Sequence, residues 1–449
     1  MAAITLSALN YFMKTYPSGV IVPEQIVEVP LLKALRGTIN RGTFRGTYWD
    51  QLIKTTRPHT FQGFGENKAL PTGQAPAYIK AQIPIRQVIA TAQLTSQVMD
   101  QAGGGDASWG NAVDIAISDM KDDFNLGLER CIFGQGLGAL ARIVSVSDSG
   151  GTNVITITCD NTYTDFGIEN VQLLKVGDHV DIYTSTSATL TDETVTAVTF
   201  GDRANGAATT GTFTITHPTG HGLADNDIVY LAGTYAYPLP MGLSGIIQDG
   251  SHYSGVAQVG TFQGLTRTSY PCLMAKVYDA ADFAAGSAGT PDDWDLSVIS
   301  TYIRAAEKAS GSKVDALACG SELAMAIMRR NRTESVINVV TSSVGQGTQQ
   351  AVGSLYAQRF LCPDGRVIPI IVADTVSANS LYGLCRADLT WHVLPNKPSF
   401  DYLRLYGDIW GPTKGDSYAN FEAPYAGYYN IGARRCDSMF VIHDMKTNI

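Results

Sequence analysis

An α+β fold interrupted by an all-β module is predicted for this chain of 449 residues, on three observations. Apolar residues recur every three or four positions from Ser108 to Phe133 and again from Asp293 to Ser310, the period of helices that bury one face. Short runs at Val314–Cys319, Arg366–Asp374, Ser380–Arg386 and Ser438–His443 have the apolar and β-branched content of buried strands. Between Leu137 and Pro240 the composition shifts to 19 threonines with frequent Gly and Asp, and β-branched residues alternate, as in Val154-Ile155-Thr156-Ile157-Thr158.

The first 55 residues carry apolar side chains with Gly and Pro punctuation and no sustained period, which predicts an extended arm with one short helix. Turn formers crowd Phe61–Gln74 and a strand-like run follows from Tyr78 to Leu94, so residues 56–95 read as a long two-stranded loop. An isolated hairpin is marginal in water, and this one needs another body to lie on. The helix from Ser108 places Trp109, Val113, Ala116, Met120, Phe124, Leu128 and Cys131 on one stripe, with Asp106 or Ser108 as its cap. It stops at Gly134-Gln135-Gly136, where glycine can turn left-handed. Asp114, Asp119, Asp122 and Asp123 give it an acidic exposed face, readable as solvated or as a dock for a basic segment.

Inside the Thr-rich module, Leu174–Ile182 echoes Leu223–Leu231: a Gly177-Asp178 or Asn226-Asp227 turn precedes an alternating strand in each. Beyond Met241-Gly242-Leu243-Ser244-Gly245-Ile246, the second helix is lined by Leu296, Ile299, Ile303 and Ala306 and stopped by Gly311. Ser321 caps a third helix that runs to Arg330. Residues 333–353 are polar, rich in Gly, Ser and Gln, and read as a mobile loop.

Composition narrows the function classes. With 45% apolar and 16% charged residues, against about 25% charged in an average domain, the chain is neither disordered nor a coiled coil. Its longest aliphatic run, Ile368–Ala373, is far short of the roughly 20 residues of a membrane span. Met1–Lys14 lacks the pattern of a secretory signal, so a cytoplasmic setting is expected. The seven cysteines are scattered without a C-x-x-C pair, which predicts buried thiols rather than disulfides or zinc.

Charge is distributed unevenly. Residues 1–95 hold ten Lys/Arg against four acids, whereas the remainder is net −15 and residues 137–240 alone are net −8. A basic leading region on an acidic body suits contact with a neighbouring copy better than sequence-specific nucleic-acid reading, for which the cations are too dispersed.

Catalytic motifs are missing. There is no Gly-Lys dipeptide and hence no phosphate-cradling loop, no H-E-x-x-H and no G-x-S-x-G. His217-Pro218-Thr219-Gly220-His221 has a zinc-like spacing, but its Pro and Gly argue for a turn. Ser310-Gly311-Ser312-Lys313 matches S-x-x-K at what reads as a helix end, and Gly134-Gln135-Gly136-Leu137-Gly138 follows a helix, where a dinucleotide loop would follow a strand.

The order of arm, extended loop, long helix, G-x-G turn and mixed domain resembles the HK97-type major capsid proteins of tailed bacteriophages. In that family the long helix ends in a G-x-G turn followed closely by a Gly-Leu or Gly-Ile turn. Gly134-Gln135-Gly136 and Met241-Gly242-Leu243-Ser244-Gly245-Ile246 look like those two halves, about a hundred residues apart. The resemblance implies an N-terminal arm at 1–55, an E-loop at 56–95 and the spine helix of a peripheral domain at 96–137. It further implies an inserted β domain at 138–240, more peripheral domain at 241–289, an axial domain at 290–430, and a strand at 431–449 that returns to the peripheral domain. It implies hexamers and pentamers of the chain forming an icosahedral head around double-stranded DNA held by non-specific contact, with a portal and a decoration protein as further partners. No charged helical segment precedes the arm, so a separate scaffolding protein is expected. No enzyme activity, cofactor, metal or membrane is implied. Lys68, Lys80 and Arg86 on the loop and Asp114, Asp119, Asp122 and Asp123 on the helix are the expected subunit-interface residues. An encapsulin-like shell around an enzyme cargo shares the same fold expectation. A β-rich carbohydrate-binding or adhesion protein is the alternative from another class, set against the lack of Trp in residues 138–240.

Overall fold

The computed structural model describes residues 30–35, 39–40, 44–56, 75–95, 110–134, 138–148, 153–159, 174–184, 187–199, 211–217, 222–235, 239–250, 260–279, 293–334, 359–362, 364–373, 379–394, 400–402, 411–412 and 420–447, with positions 61, 73, 136, 375 and 376. Lys68, Asp106, Ser108 and His221 lie outside the described residues, as does most of the polar stretch 333–353.

Helix α1 (Pro30–Leu35) is followed by β1 (Ile39–Asn40), β2 (Phe44–Arg45), β3 (Tyr48–Lys54), β4 (Tyr78–Pro84) and β5 (Arg86–Thr95). β3 and β4 form an antiparallel hairpin with β2 on its edge. The run Tyr78–Leu94, expected as one strand, breaks at Ile85, and β5 leaves the hairpin for a partner near the other end of the chain. Propensity alone does not see this break, because it is the change of hydrogen-bonding partner that makes it. The base of the hairpin also packs on its own chain: Trp49, Ile53, Ala81 and Ile83 are all buried.

Helix α2 (Gly110–Phe133) is the long helix, its side chains described from Ala116 onward, with Met120, Phe124, Leu128 and Ile132 buried along one face. Then β6 (Ala139–Asp148), β7 (Val154–Cys159), β8 (His179–Thr184), β9 (Ser187–Thr199), β10 (Gly211–Thr216) and β11 (Ile228–Leu231) close a six-stranded barrel in the order β10-β7-β6-β11-β8-β9. Alternation drives it: Ile155, Ile157 and Cys159 point inward while Val154, Thr156 and Thr158 are half-exposed. Closure leaves the barrel no free strand edge.

The remainder holds α3 (Leu243–Ile246), β12 (Thr261–Phe262), β13 (Leu265–Thr266), β14 (Lys276–Asp279), α4 (Leu296–Ser310), β15 (Ala316–Cys319), α5 (Ser321–Glu334), β16 (Arg359–Leu361), β17 (Val367–Val372), β18 (Leu381–Leu384), β19 (Leu389–Val393), β20 (Phe400–Tyr402), β21 (Gly411–Pro412), β22 (Asn420–Ala433) and β23 (Phe440–His443). The Asp295 carboxylate caps α4 by accepting from Ser297 N (2.7 Å) and Val298 N (3.1 Å), and Gly311 ends it with φ +77°. Ser321, expected as a cap, is instead the first helical residue of α5, whose first turn closes from Ala324 N onto Gly320 O.

Two sheets organise these elements. β22, absent from the sequence expectation, pairs along ten positions of β5 and with β19, β20 and β21. The second sheet has the order β14-β23-β18-β15-β17-β16. It divides two cores by strict alternation: Ala316, Ala318 and Val441 face a core with Phe124, Leu128 and Leu243, while Leu317, Cys319, Phe440 and Ile442 face one with Ile299, Ile303, Leu323 and Ile327 of α4 and α5. The C-terminal strand β23 thus lies inside the sheet that carries α4 and α5, and one of its faces reaches the core around α2. Six of the seven cysteines are buried, and burial pushes the Cys131, Cys319 and Cys436 thiols up to about 12.

Candidate assembly elements and the insertion junction

The two glycine signatures meet in space. α2 ends where Gly134 N donates to Arg130 O (3.0 Å), and Gly136 turns with φ +79°. The chain leaves for the barrel there and returns at Leu239, whose N donates to Gly136 O (2.9 Å). Gly242 then lies against the exposed carbonyls of the helix end: a Cβ at this position would sit 2.3 Å from Cys131 O, 2.4 Å from Gly134 O and 2.5 Å from Ile132 O. Only glycine fits so close a backbone approach. The chain therefore enters and leaves the barrel at adjacent points, and the Gly242 turn packs on the end of α2 across that gap.

The far side of this junction is held by Arg267, which is fully buried. Its guanidinium donates to Ile246 O (3.1 Å), Gln248 O (3.3 Å), Leu273 O (2.9 Å) and Gly245 O, and stacks 4.4 Å from the centre of the Phe262 ring. It satisfies carbonyls that the short helix α3 leaves open. Burial lowers its pKa. Nothing in the sequence around Arg267 marks this role, since its partners come from segments up to 22 residues away.

An ion pair joins the barrel to α2, Arg130 Nη2 to Asp178 Oδ2 at 2.7 Å, both side chains being largely buried. Asp178 belongs to the first copy of the echoed sequence. In both copies the turn carboxylate accepts a backbone N–H three residues back: Asp178 from Lys175 N (2.8 Å) and Asp227 from Ala224 N (2.9 Å). The two copies lead into β8 and β11, which pair with each other. The echo is thus a structural repeat, with one copy turned to the helix and the other, through Thr184 Oγ1 to Asp227 Oδ1 (2.8 Å), to the barrel itself.

Among the described residues, the expected interface side chains of the loop and of the helix are not brought together within one chain. Lys80 pairs with Asp50 across its own hairpin, Nζ to Oδ2 at 2.7 Å. Arg86 stands half-buried at the start of β5 opposite Tyr429, and burial lowers its pKa. Asp114 lies on α2 with its side chain outside the description, while Asp119, Asp122 and Asp123 are exposed there, three and four residues apart on one face. Partial desolvation by the neighbouring protein, at a side chain that stays exposed, pushes the Asp119 carboxyl up, and the Asp122 charge adds to this. Desolvation by the surrounding protein pushes Asp123 up although its side chain keeps an exposed surface, with Arg130 opposing and Asp178 reinforcing the shift.

The fragments set aside as chemistry have structural partners. His217 Nδ1 lies 2.7 Å from Glu193 Oε1, and Ser310 Oγ donates back to Ala306 O (2.9 Å) at the helix end. Among the described residues no group of three His, Cys, Asp or Glu side chains could hold a metal ion, and no helix is long and apolar enough to cross a membrane. On the barrel, Tyr183 and Tyr235 stack on each other at 3.8 Å with Tyr230 edge-on, so these rings are spent on one another.

No protein-family model matches this sequence, and no curated protein does. Solved structures do. A chain of the cyanophage A-1(L) capsid asymmetric unit matches with a TM-score of 0.50 at 12% identity over 95% of both chains. The capsid chain of a native GTA particle matches at a TM-score of 0.44 with 10% identity, covering 98% of this chain and 97% of the other. The SrpI encapsulin of Synechococcus elongatus PCC 7942 matches at 0.40 with 8% identity, over 100% and 98%. The protein has a phage-capsid fold of mixed α and β structure, shared with the cyanophage chain over nearly its whole length. This is the fold that the order of its sequence elements resembles.

Proposed function

We propose that this chain is a major capsid protein that self-assembles into hexamers and pentamers of an icosahedral phage head enclosing double-stranded DNA. The observation that carries the reading is the fold shared end to end with a cyanophage capsid chain. The junction supports it, since the helix end and the Gly242 turn join as one motif around an insert. In this reading residues 1–55 are the arm, 56–95 the E-loop, 96–137 the spine helix, 138–240 the inserted domain, 290–430 the axial domain, and 241–289 with 431–449 the rest of the peripheral domain. Lys68, Lys80 and Arg86 of one subunit face acidic surface of the next, including Asp114, Asp119, Asp122 and Asp123. Many weak contacts repeated by symmetry close the shell. The work done is mechanical rather than catalytic, and assembly takes place in the host cytoplasm with a separate scaffolding protein, a portal and a decoration protein as partners.

Negative-stain electron microscopy with sedimentation of the chain, alone and with a scaffolding protein, tests this. Rings of capsomer size or closed shells are expected, and DNA rather than an enzyme as the native content. A monodisperse monomer under both conditions at high concentration would overturn the proposal.

A further inference from the structure

A cleft of about 1300 Å³ opens between strand β3 and the body of the protein. Residues 49–56 form one wall, and the other is built from 269–272, the end of α4 at 308–311, Thr390, His392 and 434–437. Three features give it the chemistry of a binding site. First, β3 is paired on one side by β4, but on the other β2 covers only Tyr48 and Trp49, so among the described residues Asp50–Lys54 present an open strand edge. Second, two lining side chains are nine-tenths buried with polar atoms that no described group satisfies: Thr390 Oγ1 and both ring nitrogens of His392, each residue 3% exposed. Third, Lys54, Lys308 and Arg434 line the cleft exposed, and no ion pair with a described residue takes up their charge. The acids present are already committed, Asp50 to Lys80 and Asp437 to Arg435.

An open strand edge recognises extended backbone, unsatisfied buried polar groups call for hydrogen-bonding partners, and three uncompensated cations call for carboxylates. We propose that this cleft binds an extended acidic peptide segment of a partner protein, which adds as a strand to the edge of β3 and sets its carboxylates against Lys54, Lys308 and Arg434. Exposed Leu52 on the same strand offers apolar contact for the segment's alternate side chains. The inference stands on the cleft alone and does not require that the chain forms shells.

The test uses the full chain in unassembled form and a fluorescein-labelled nonamer alternating Val with Glu and Asp, followed by fluorescence anisotropy and by hydrogen exchange. The acidic nonamer binds, a Val/Lys nonamer of the same length does not, and amide exchange slows at residues 50–54 in the complex. Lys308→Glu with Arg434→Glu weakens binding at least tenfold, and Lys54→Gln, on an exposed side chain away from both cores, weakens it several-fold with unchanged thermal unfolding. The proposal falls if the acidic nonamer fails to bind, if the variants leave its affinity unchanged, or if protection appears elsewhere than on β3. It also falls if a DNA oligonucleotide of equal charge binds the same cleft as tightly, which would make the attraction one to any polyanion. If sedimentation shows the chain self-associated through this cleft and the charge reversals dissociate it, the occupant is a second copy and the partner peptide is wrong.

Discussion

At Gly242 a single added methyl would be driven into three backbone carbonyl oxygens, none of which can move without unwinding the end of α2. Overpacking of this kind costs about 1–3 kcal/mol when side chains can yield, and more against backbone. Gly242→Ala is therefore expected to lower the urea midpoint by the equivalent of about 3 kcal/mol or to prevent folding, whereas Ala at exposed Gly233, with open space around it, loses only the cost of its positive φ. His392 sets a second expectation. Burial, reinforced by the Arg434 charge, brings its pKa down from 6.5 to about 4. The ring is neutral in the folded protein, while the unfolded chain takes up a proton as pH falls below about 6.5. Stability should thus be lost between pH 6.5 and about 4 and level off below, by roughly 3 kcal/mol in all at 1.4 kcal/mol per pH unit. Urea unfolding of His392→Gln should lack this slope; an unchanged slope would assign it to other groups.

At the scale of elements, the barrel is the clearest case of a unit with its own core. It carries its own core of Ile143, Ile157, Ile182, Phe213 and Val229, and meets α2 through Arg130 and Asp178. Breaking a largely buried pair leaves a charge without its partner, at roughly 3–5 kcal/mol, and Asp178 keeps its bond from Lys175 N, which favours the lower end. In Arg130→Ala the barrel should stay folded while its seat on α2 loosens. Faster limited proteolysis beside Gly136 and Leu239, with the barrel released as an intact fragment, would report this; cleavage inside β6–β11 would show instead that the pair holds the barrel's own fold. The hairpin behaves otherwise. Its base is tied into the body by buried Trp49 and Ile83.

For the molecule as a whole, the adjacency of Gly136 and Leu239 makes the barrel removable in principle. A chain lacking 138–240, with Leu137 joined to Met241, should retain the circular dichroism and cooperative unfolding of the remaining body. In the capsid reading, its shells should form poorly or be less stable. Shells of normal yield and stability from this deletion would refute a bracing role for the barrel.

The parts of the fold legible in the sequence were those decided within a few turns of chain. The stripe of α2, the Gly311 end of α4 and the alternation of β7 depend on nearest neighbours, and so did the echo at Asp178 and Asp227, because a turn carboxylate reaches its own N–H three residues away. The split glycine signature was readable only through the family resemblance, and the close backbone approach that requires Gly242 was supplied by the structure. Partnership across the chain was not legible. The division of Tyr78–Leu94 at Ile85, the whole of β22 and the pairing of Arg130 with Asp178 each rest on contacts between segments far apart in sequence, and the burial of Arg267 over four carbonyls rests on partners 6 to 22 residues away that no local periodicity marks. Local composition sets which residues prefer helix, strand or turn, but which strand takes which edge, and which charge meets which, is settled only when desolvation and hydrogen bonding are satisfied for the packed chain at once.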